Sequence, residues 1–254
     1  PMVTLSVENL KKISVMRKAG EILSGIMRKL RASVAPGVTT GELDRRAMRL
    51  FDKHRVTPAF LGYRGFPKSI CTSINEEVVH GIPGDRVLKE GDILSIDGGL
   101  RYKGYYADMA FTLPVGEVSS NARDIIDAGR DTLHRAVDVL KPGLPLRTLS
   151  GAIQEYAEKR GYNVLRKYVG HAIGSQMHEE PQIPNFVSDE YPPEGVRLLP
   201  GMVIAIEPML TEGSYEVETK EDGWTVHTCD RKLSVHFEYS VAILEDRIEV
   251  LTFF

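Results

Sequence analysis

One seven-residue pattern occurs twice in this chain and constrains its fold more than any other feature. Gly91-Asp-Ile-Leu-Ser-Ile-Asp97 returns 110 residues later as Gly201-Met-Val-Ile-Ala-Ile-Glu207. Each copy is a short apolar run, suited to a buried strand, that stops on a carboxylate. What precedes each copy repeats as well. Residues 7–32 set Leu10, Ile13, Met16, Ile22, Leu23, Ile26, Met27 and Leu30 at helical intervals. Pro36-Gly37 breaks that helix, and Thr40 opens a second one running to His54. The second half predicts the same order: a helix over 121–140, a break at Pro142-Gly143 and a helix over 146–159. Ala19-Gly20 then aligns with Ala128-Gly129. Chance likeness of two helix-helix-strand runs is the alternative. The reading adopted is a single catalytic domain over 1–254, built from two pseudo-repeats (about 10–110 and 119–245) that face a shared cleft.

Aromatic and β-branched residues predict further strands over 105–113, 224–228, 233–244 and 248–254, with a hairpin at Arg101-Tyr-Lys-Gly104. Helices combined with hairpin-joined strands indicate an α+β chain with a mainly antiparallel sheet.

Four acids stand in this framework. Asp97 and Glu207 close equivalent apolar strands, Asp108 lies on the return strand of the hairpin, and Glu238 is expected mid-strand within Ser234–Ile243. A lone acid in such a setting is usually a hydrogen-bonded structural group. Four strand-borne acids that converge need neutralising, and two divalent cations ~3.5–4 Å apart are the economical solution. His171, between Gly170 and Gly174, is the candidate imidazole ligand. Oxygen-rich ligation with one imidazole does not choose among Co, Mn, Fe(II) and Zn. His80, in a loop tightened by Pro83 and Gly84, and His178 read as turn histidines alone; beside a metal pair they could hold a substrate carbonyl or amide. His54 and His134 are expected to be solvated, and His227 receives no role.

Bulk composition excludes several classes. A net charge of −3 over 254 residues offers no basic face for nucleic acid. No apolar run approaches the ~20 residues of a membrane span, and the N-terminus lacks a signal pattern. Two cysteines, Cys71 and Cys229, make no disulfide framework; both are expected to be buried or half-buried thiols in a reducing cytoplasm. Nothing is drawn from Pro1-Met2.

Gly170-His-Ala-Ile-Gly174 with His178-Glu-Glu-Pro, Val78-Val-His-Gly-Ile-Pro83 and Ile206-Glu-Pro-Met209 closely resemble the motifs of type I methionine aminopeptidases. So does the spacing of Asp97, Asp108, His171, Glu207 and Glu238, and the likeness covers nearly the whole chain. The resemblance implies the pita-bread fold, a pseudo-twofold α/β arrangement around a central dimetal cleft. It implies that Asp108 and Glu238 bridge two ions, with Asp97 on one and His171 and Glu207 on the other. The ions would hold a hydroxide that attacks the first peptide carbonyl, Glu207 would transfer the proton, and His80 and His178 would contact the scissile amide. The implied substrates are N-termini of nascent polypeptides carrying the initiator methionine. Ribosome docking stays open, and nothing requires more than a monomer.

The chain departs from that family in two places. In the methionine pocket Tyr63, Cys71 and Trp224 match, but Phe60 replaces a small residue or cysteine, Phe66 a tyrosine and Met177 an aromatic. Beside the last ligand the family usually reads Gln-x-Glu-His, and this chain reads His236-Phe-Glu238-Tyr239. His236 is expected to share a strand face with Glu238 and to shift metal affinity as its partner. One rival is an Xaa-Pro aminopeptidase or prolidase-like enzyme on the same fold, which usually carries a sizeable N-terminal domain; about ninety residues precede Asp97 here. The other is a non-catalytic binding protein, which would be expected to have lost ligands.

Overall fold

The computed structural model describes residues 4–254; Pro1 and Met2 lie outside the described residues. Two long helices start the chain, α1 (Val7–Arg31) and α2 (Thr40–His54). Each is capped as its sequence requires. Ser6 accepts from the Asn9 N–H, and Thr39 and Glu42 cap each other's backbone reciprocally. The stripe on α1 buries Ile13, Met16, Leu23, Ile26, Met27 and Leu30, while Leu10 is exposed and Ile22 only half-buried.

Short strands β1 (Thr57–Pro58), β2 (Cys71–Ile74) and β3 (Glu77–Val79) lead to the long hairpin of β4 (Ile93–Tyr102) and β5 (Tyr105–Pro114). Helices α3 (Ser120–Val139) and α4 (Leu146–Lys159) follow. The chain then runs through β6 (Asn163–Val164), β7 (Gly170–Ala172), β8 (Glu179–Ile183), β9 (Val203–Ile206), β10 (Met209–Thr211), β11 (Val217–Thr219), β12 (Val226–Thr228), β13 (Ser234–His236), β14 (Tyr239–Ile243) and β15 (Ile248–Val250). Every strand pair among the described residues is antiparallel, but the strands divide into four sheets rather than one. β4 pairs with β1, β2 and β5, and a five-stranded sheet runs β15-β14-β9-β7-β8. A continuous core spans these two sheets, from Leu23 and Met27 of α1 through Ile96 and Phe111 to Leu133, Ile204 and Val241.

Three expectations need correction. Asp97 does not end a strand: β4 continues to Tyr102 because Gly98 and Gly99 pair with Met109 and Asp108. The turn is only Lys103-Gly104, both at positive φ, which is what a two-residue hairpin loop demands. Glu238 is not mid-strand. It lies at the break between β13 and β14, where the chain leaves β10 for β9 and the Glu238 N–H donates to the Ala110 carbonyl of β5 at 2.8 Å. The last expected strand stops at Val250 because side chains take over its partners: the Phe253 N–H donates to Ser24 Oγ at 3.0 Å.

That tail packs tightly on α1. A Cβ at Gly20 would sit 2.1 Å from the Leu251 carbonyl oxygen, whereas nothing lies within 4 Å of one at Gly25. Gly20→Val should therefore cost about 3 kcal/mol through overpacking against backbone. Gly25→Ala should stabilise α1 by about 0.5–1 kcal/mol. Urea midpoints of the two variants against the parent measure both, and equal effects would contradict this packing.

Candidate metal centre

Strand register aims the acids at one point. Asp97 pairs with Ala110 and Asp108 with Gly99, so both acids project from one face of the hairpin as diagonal neighbours. Glu238 joins them through the bridge to Ala110. The Asp108 backbone is clamped by Ser240, whose Oγ accepts from its N–H at 3.1 Å and donates to its carbonyl at 2.8 Å. On the other sheet His171 pairs with Ala205, two residues before Glu207. A Cβ on Gly170 would lie 2.3 Å from the Ala205 oxygen, so only glycine lets β7 approach β9 this closely. The result is His171 Nε2 at 3.5 Å from Glu207 Oε1 and 3.9 Å from Asp108 Oδ2.

Burial decides the electrostatics. Asp108, Glu238 and His171 are buried, and the Glu207 side chain is 13% exposed. Loss of water raises the Asp97 carboxyl to about 7 and Glu207 to about 8. Asp108 and Glu238 are pushed well above the carboxylate range, first by burial and then by the neighbouring acids. His171 is lowered to about 4 by burial and by His178, which keeps it neutral near pH 7. Its Nδ1 lies 3.0 Å from the Ala172 carbonyl, an acceptor only, so the ring proton sits there and the Nε2 lone pair faces the acids.

A cation fits this donor set. Eight buried side-chain polar atoms lack a hydrogen-bond partner among the described residues, and four belong to this cluster: Asp97 Oδ1, Asp108 Oδ1, Glu238 Oε1 and His236 Nε2. Such atoms are rare without a ligand to satisfy them. Donor atoms of Asp108, His171 and Glu238 lie within 4.8 Å of one another, as do those of Glu207, His236 and Glu238.

The cluster floors a cavity of about 320 Å³. Phe60, Tyr63, Phe66, Cys71, Met177 and Trp224 line its walls, with His80 and His178 beside them. The Phe66 and Trp224 rings meet edge to face at 5.1 Å. Gly99 makes room for Phe60, since a Cβ there would come within 3.1 Å of the Phe60 ring. Cys71 pairs with Asp97 across β2 and β4, and burial, then Asp97, pushes its thiol up. His80, at φ 60°, holds its ring edge-on to Tyr168 at 5.3 Å. Burial, His236 and His178 lower its pKa to about 4. His178 is exposed at the rim; partial burial, then Arg64, lowers it, and its Nδ1 lies 2.8 Å from the Tyr63 hydroxyl.

Sequence reasoning did not name Arg64, Tyr168 and Gln182 as lining residues. Nor could it foresee the Tyr63–His178 pair, which joins positions 115 residues apart. His54 and His134 are exposed. His227 is buried, with Nε2 3.5 Å from Glu218, and does not line the cavity. Cys229, expected to be at least half-buried, is exposed because it follows β12 at the surface.

Residues 14–245 match metallopeptidase family M24. The chain is 46% identical to methionine aminopeptidase 1 of Bacillus subtilis, over 95% of this chain and 96% of that one. It is 45% identical to a methionine aminopeptidase of Clostridium perfringens, over 99% of both chains. The crystal structure of a methionine aminopeptidase from Thermotoga maritima superimposes with a TM-score of 0.92 at 42% identity, covering 99% of each chain. A prolidase from Pyrococcus furiosus shares the fold alone, at a TM-score of 0.75 and 22% identity, and this chain spans 66% of it. The helices, the antiparallel sheets and the acid-lined cleft between them are the pita-bread fold, and the chain belongs to metallopeptidase family M24.

Proposed function

We propose that this protein is a methionine aminopeptidase that removes the N-terminal methionine from nascent proteins and peptides, preferably before a small second residue. The observation that carries this reading is the placement of the acid cluster at the floor of an aromatic, thiol- and thioether-lined pocket. The full-length likeness to methionine aminopeptidases favours it over the proline-specific enzymes, whose likeness is confined to the fold, and over a non-catalytic binding role. The chain is read as one domain of two related halves, about 10–110 and 119–245.

Asp97, Asp108, His171, Glu207 and Glu238 would hold two divalent ions drawn from Co, Mn, Fe(II) or Zn, with Asp108 and Glu238 shared. When bound, such ions supply an activated water and polarise the scissile carbonyl. The protein's own groups do the rest. Glu207, 13% exposed at the cavity floor, is placed to take and return a proton. The Tyr63 hydroxyl orients the His178 ring through Nδ1 at 2.8 Å, and in the tautomer in which that hydroxyl is the donor the His178 proton is on Nε2, where it would be donated to the peptide carbonyl. His80, held neutral, can hold the scissile amide from the other side. Phe60, Phe66, Cys71, Met177 and Trp224 surround the methionine side chain and offer sulfur–aromatic contacts. No helix among the described residues is long and apolar enough to cross a membrane. A monomer in the cytoplasm, meeting nascent chains at or near the ribosome and binding no nucleic acid directly, completes the reading.

Chelator-stripped protein should release no methionine from Met-Ala-Ser, and activity should return with added Mn, Co, Fe(II) or Zn. Asp97→Ala and His171→Ala should each lose at least ~100-fold. Cleavage of Ala-Pro-Ala in its place would move the protein to the proline-specific enzymes.

The raised carboxyls also give the metal-free protein a pH signature. Folded Asp97 and Glu207 keep protons that the unfolded chain has released above pH ~5, so stability falls as pH rises through about 7 and 8. The neutral His80 and His171 oppose this only below the ordinary histidine value of ~6.5. Between pH 6.5 and 8 the stripped protein should lose about 1.4 kcal/mol per pH unit for each carboxyl still protonated. Melting temperatures with and without Zn test this; a flat profile in the stripped protein would contradict it.

A further inference from the structure

His236 is buried to 1% exposure, and nothing in the assigned chemistry uses it. Its Nε2 lies 3.4 Å from Glu207 Oε2 and 4.0 Å from Glu238 Oε2, and it has no hydrogen-bond partner among the described residues. The imidazole is not there by looseness of the chain. The His236 N–H donates to Thr112 Oγ1 at 2.9 Å, and the Thr112 hydroxyl donates back to the His236 carbonyl at 3.0 Å. Thr112 has then spent its one proton, so Ser95, 2.7 Å away, must donate to it. Three buried groups thus fix the backbone from which His236 reaches the acids.

The spacing has a specific meaning. Two donors each ~2.1 Å from one ion, at tetrahedral or octahedral angles, stand ~3.0–3.4 Å apart. The 3.4 Å between His236 Nε2 and Glu207 Oε2 falls at that separation, and so, nearly, does the 3.5 Å between His171 Nε2 and Glu207 Oε1. The Glu207 carboxylate therefore lies between two imidazoles. Donor atoms form two triads that share one residue: Asp108, His171 and Glu238 on one side, Glu207, His236 and Glu238 on the other. Each triad holds two carboxylates and one imidazole.

We infer that His236 is a sixth metal-donor side chain, binding an ion together with Glu207, so that an imidazole donor stands on each side of that carboxylate. The inference rests on the metallopeptidase reading above and adds a ligand to it. A second nitrogen donor in an otherwise oxygen-rich cluster favours Fe(II), Co(II) and Zn over the harder Mn. His236→Gln should thus weaken the binding of Co or Zn more than that of Mn. Affinity alone does not identify a ligand, because removing a group that only orients one also costs ~10–100-fold.

The deciding measurement is proton NMR of the cobalt-loaded protein, which displays ligand imidazole N–H protons as strongly contact-shifted, exchangeable signals. Two such signals are expected, one absent in His236→Gln and the other absent in His171→Asn. A single signal, unchanged in His236→Gln while cobalt still binds, overturns the inference and leaves the metallopeptidase reading intact. If no cobalt binds and no shifted signal appears, both fall. Should His236→Gln fail to fold by circular dichroism, the count in the parent protein decides: two signals support the sixth ligand and one refutes it.

Discussion

Four carboxylates drawn into one buried cluster are the constraint on which the rest of this structure depends. Such charges cannot coexist in a low-dielectric floor without protons or cations. Among the described residues no Lys or Arg pairs with these acids; the cationic partners within 4 Å of Asp108, Glu207 and Glu238 are imidazoles. A scaffold that holds such a cluster must resist its repulsion, and the core provides that resistance. The acids grow from β4, β5 and the segments after β9 and β13, each backed by fully buried residues such as Ile96, Phe111, Ile206 and Val235. Loss of compensation at the floor is thus felt by the strands that build the core, which is why stability and cation occupancy should be coupled.

The precision of the floor comes from backbone, not from side-chain reach. Asp97 and Asp108 are placed by hairpin register, and a one-residue slip would turn both out of the cleft. The two-residue turn at Lys103-Gly104 fixes that register. Glycines then set the distances between layers. Gly170 seats β7 on β9, and Gly98, where a Cβ would lie 2.9 Å from Met27 Sδ, seats α1 on β4. Glycines in two different layers therefore serve the same end: strands carrying donors can approach only where a side chain is missing.

Much of this was legible in the sequence because charge in an apolar run is conspicuous. Asp97, Glu207 and Glu238 stand out in β-branched surroundings, and the repeated pattern singles out the first two, although Asp97 lies inside β4 and Glu207 just after β9. What escaped was whatever depends on partners. Gly98-Gly99 reads locally as the end of a strand, and only pairing with Met109 and Asp108 keeps it extended. Phe237-Glu238 reads as mid-strand, and only the change of partner from β10 to β9 opens it. His236 could be seen to lie near Glu238, but not that its Nε2 faces Glu207 as closely as His171 does. Side-chain pairs such as Tyr63 with His178 belong to no local pattern at all.

The cavity also separates two tasks onto different parts of the chain. Donors come from strands and strand ends, held by register. Most of the wall comes from less regular segments, the turn around Tyr63, the loop carrying Met177 and the turn before β12 that presents Trp224. Where the two meet, His80 and His178 are kept neutral by burial, so the boundary between an acidic floor and an apolar wall is made of groups that can donate or accept without adding charge. Phe60, Phe66 and Met177 lie on the wall side of that boundary. These three positions, where the sequence departs from the family pattern, sit on segments other than the strands that carry the acids. His236 lies on the floor side, with its Nε2 3.4 Å from Glu207 Oε2. The two kinds of departure are therefore physically independent, and selectivity for the residue removed can drift without disturbing the chemistry that removes it.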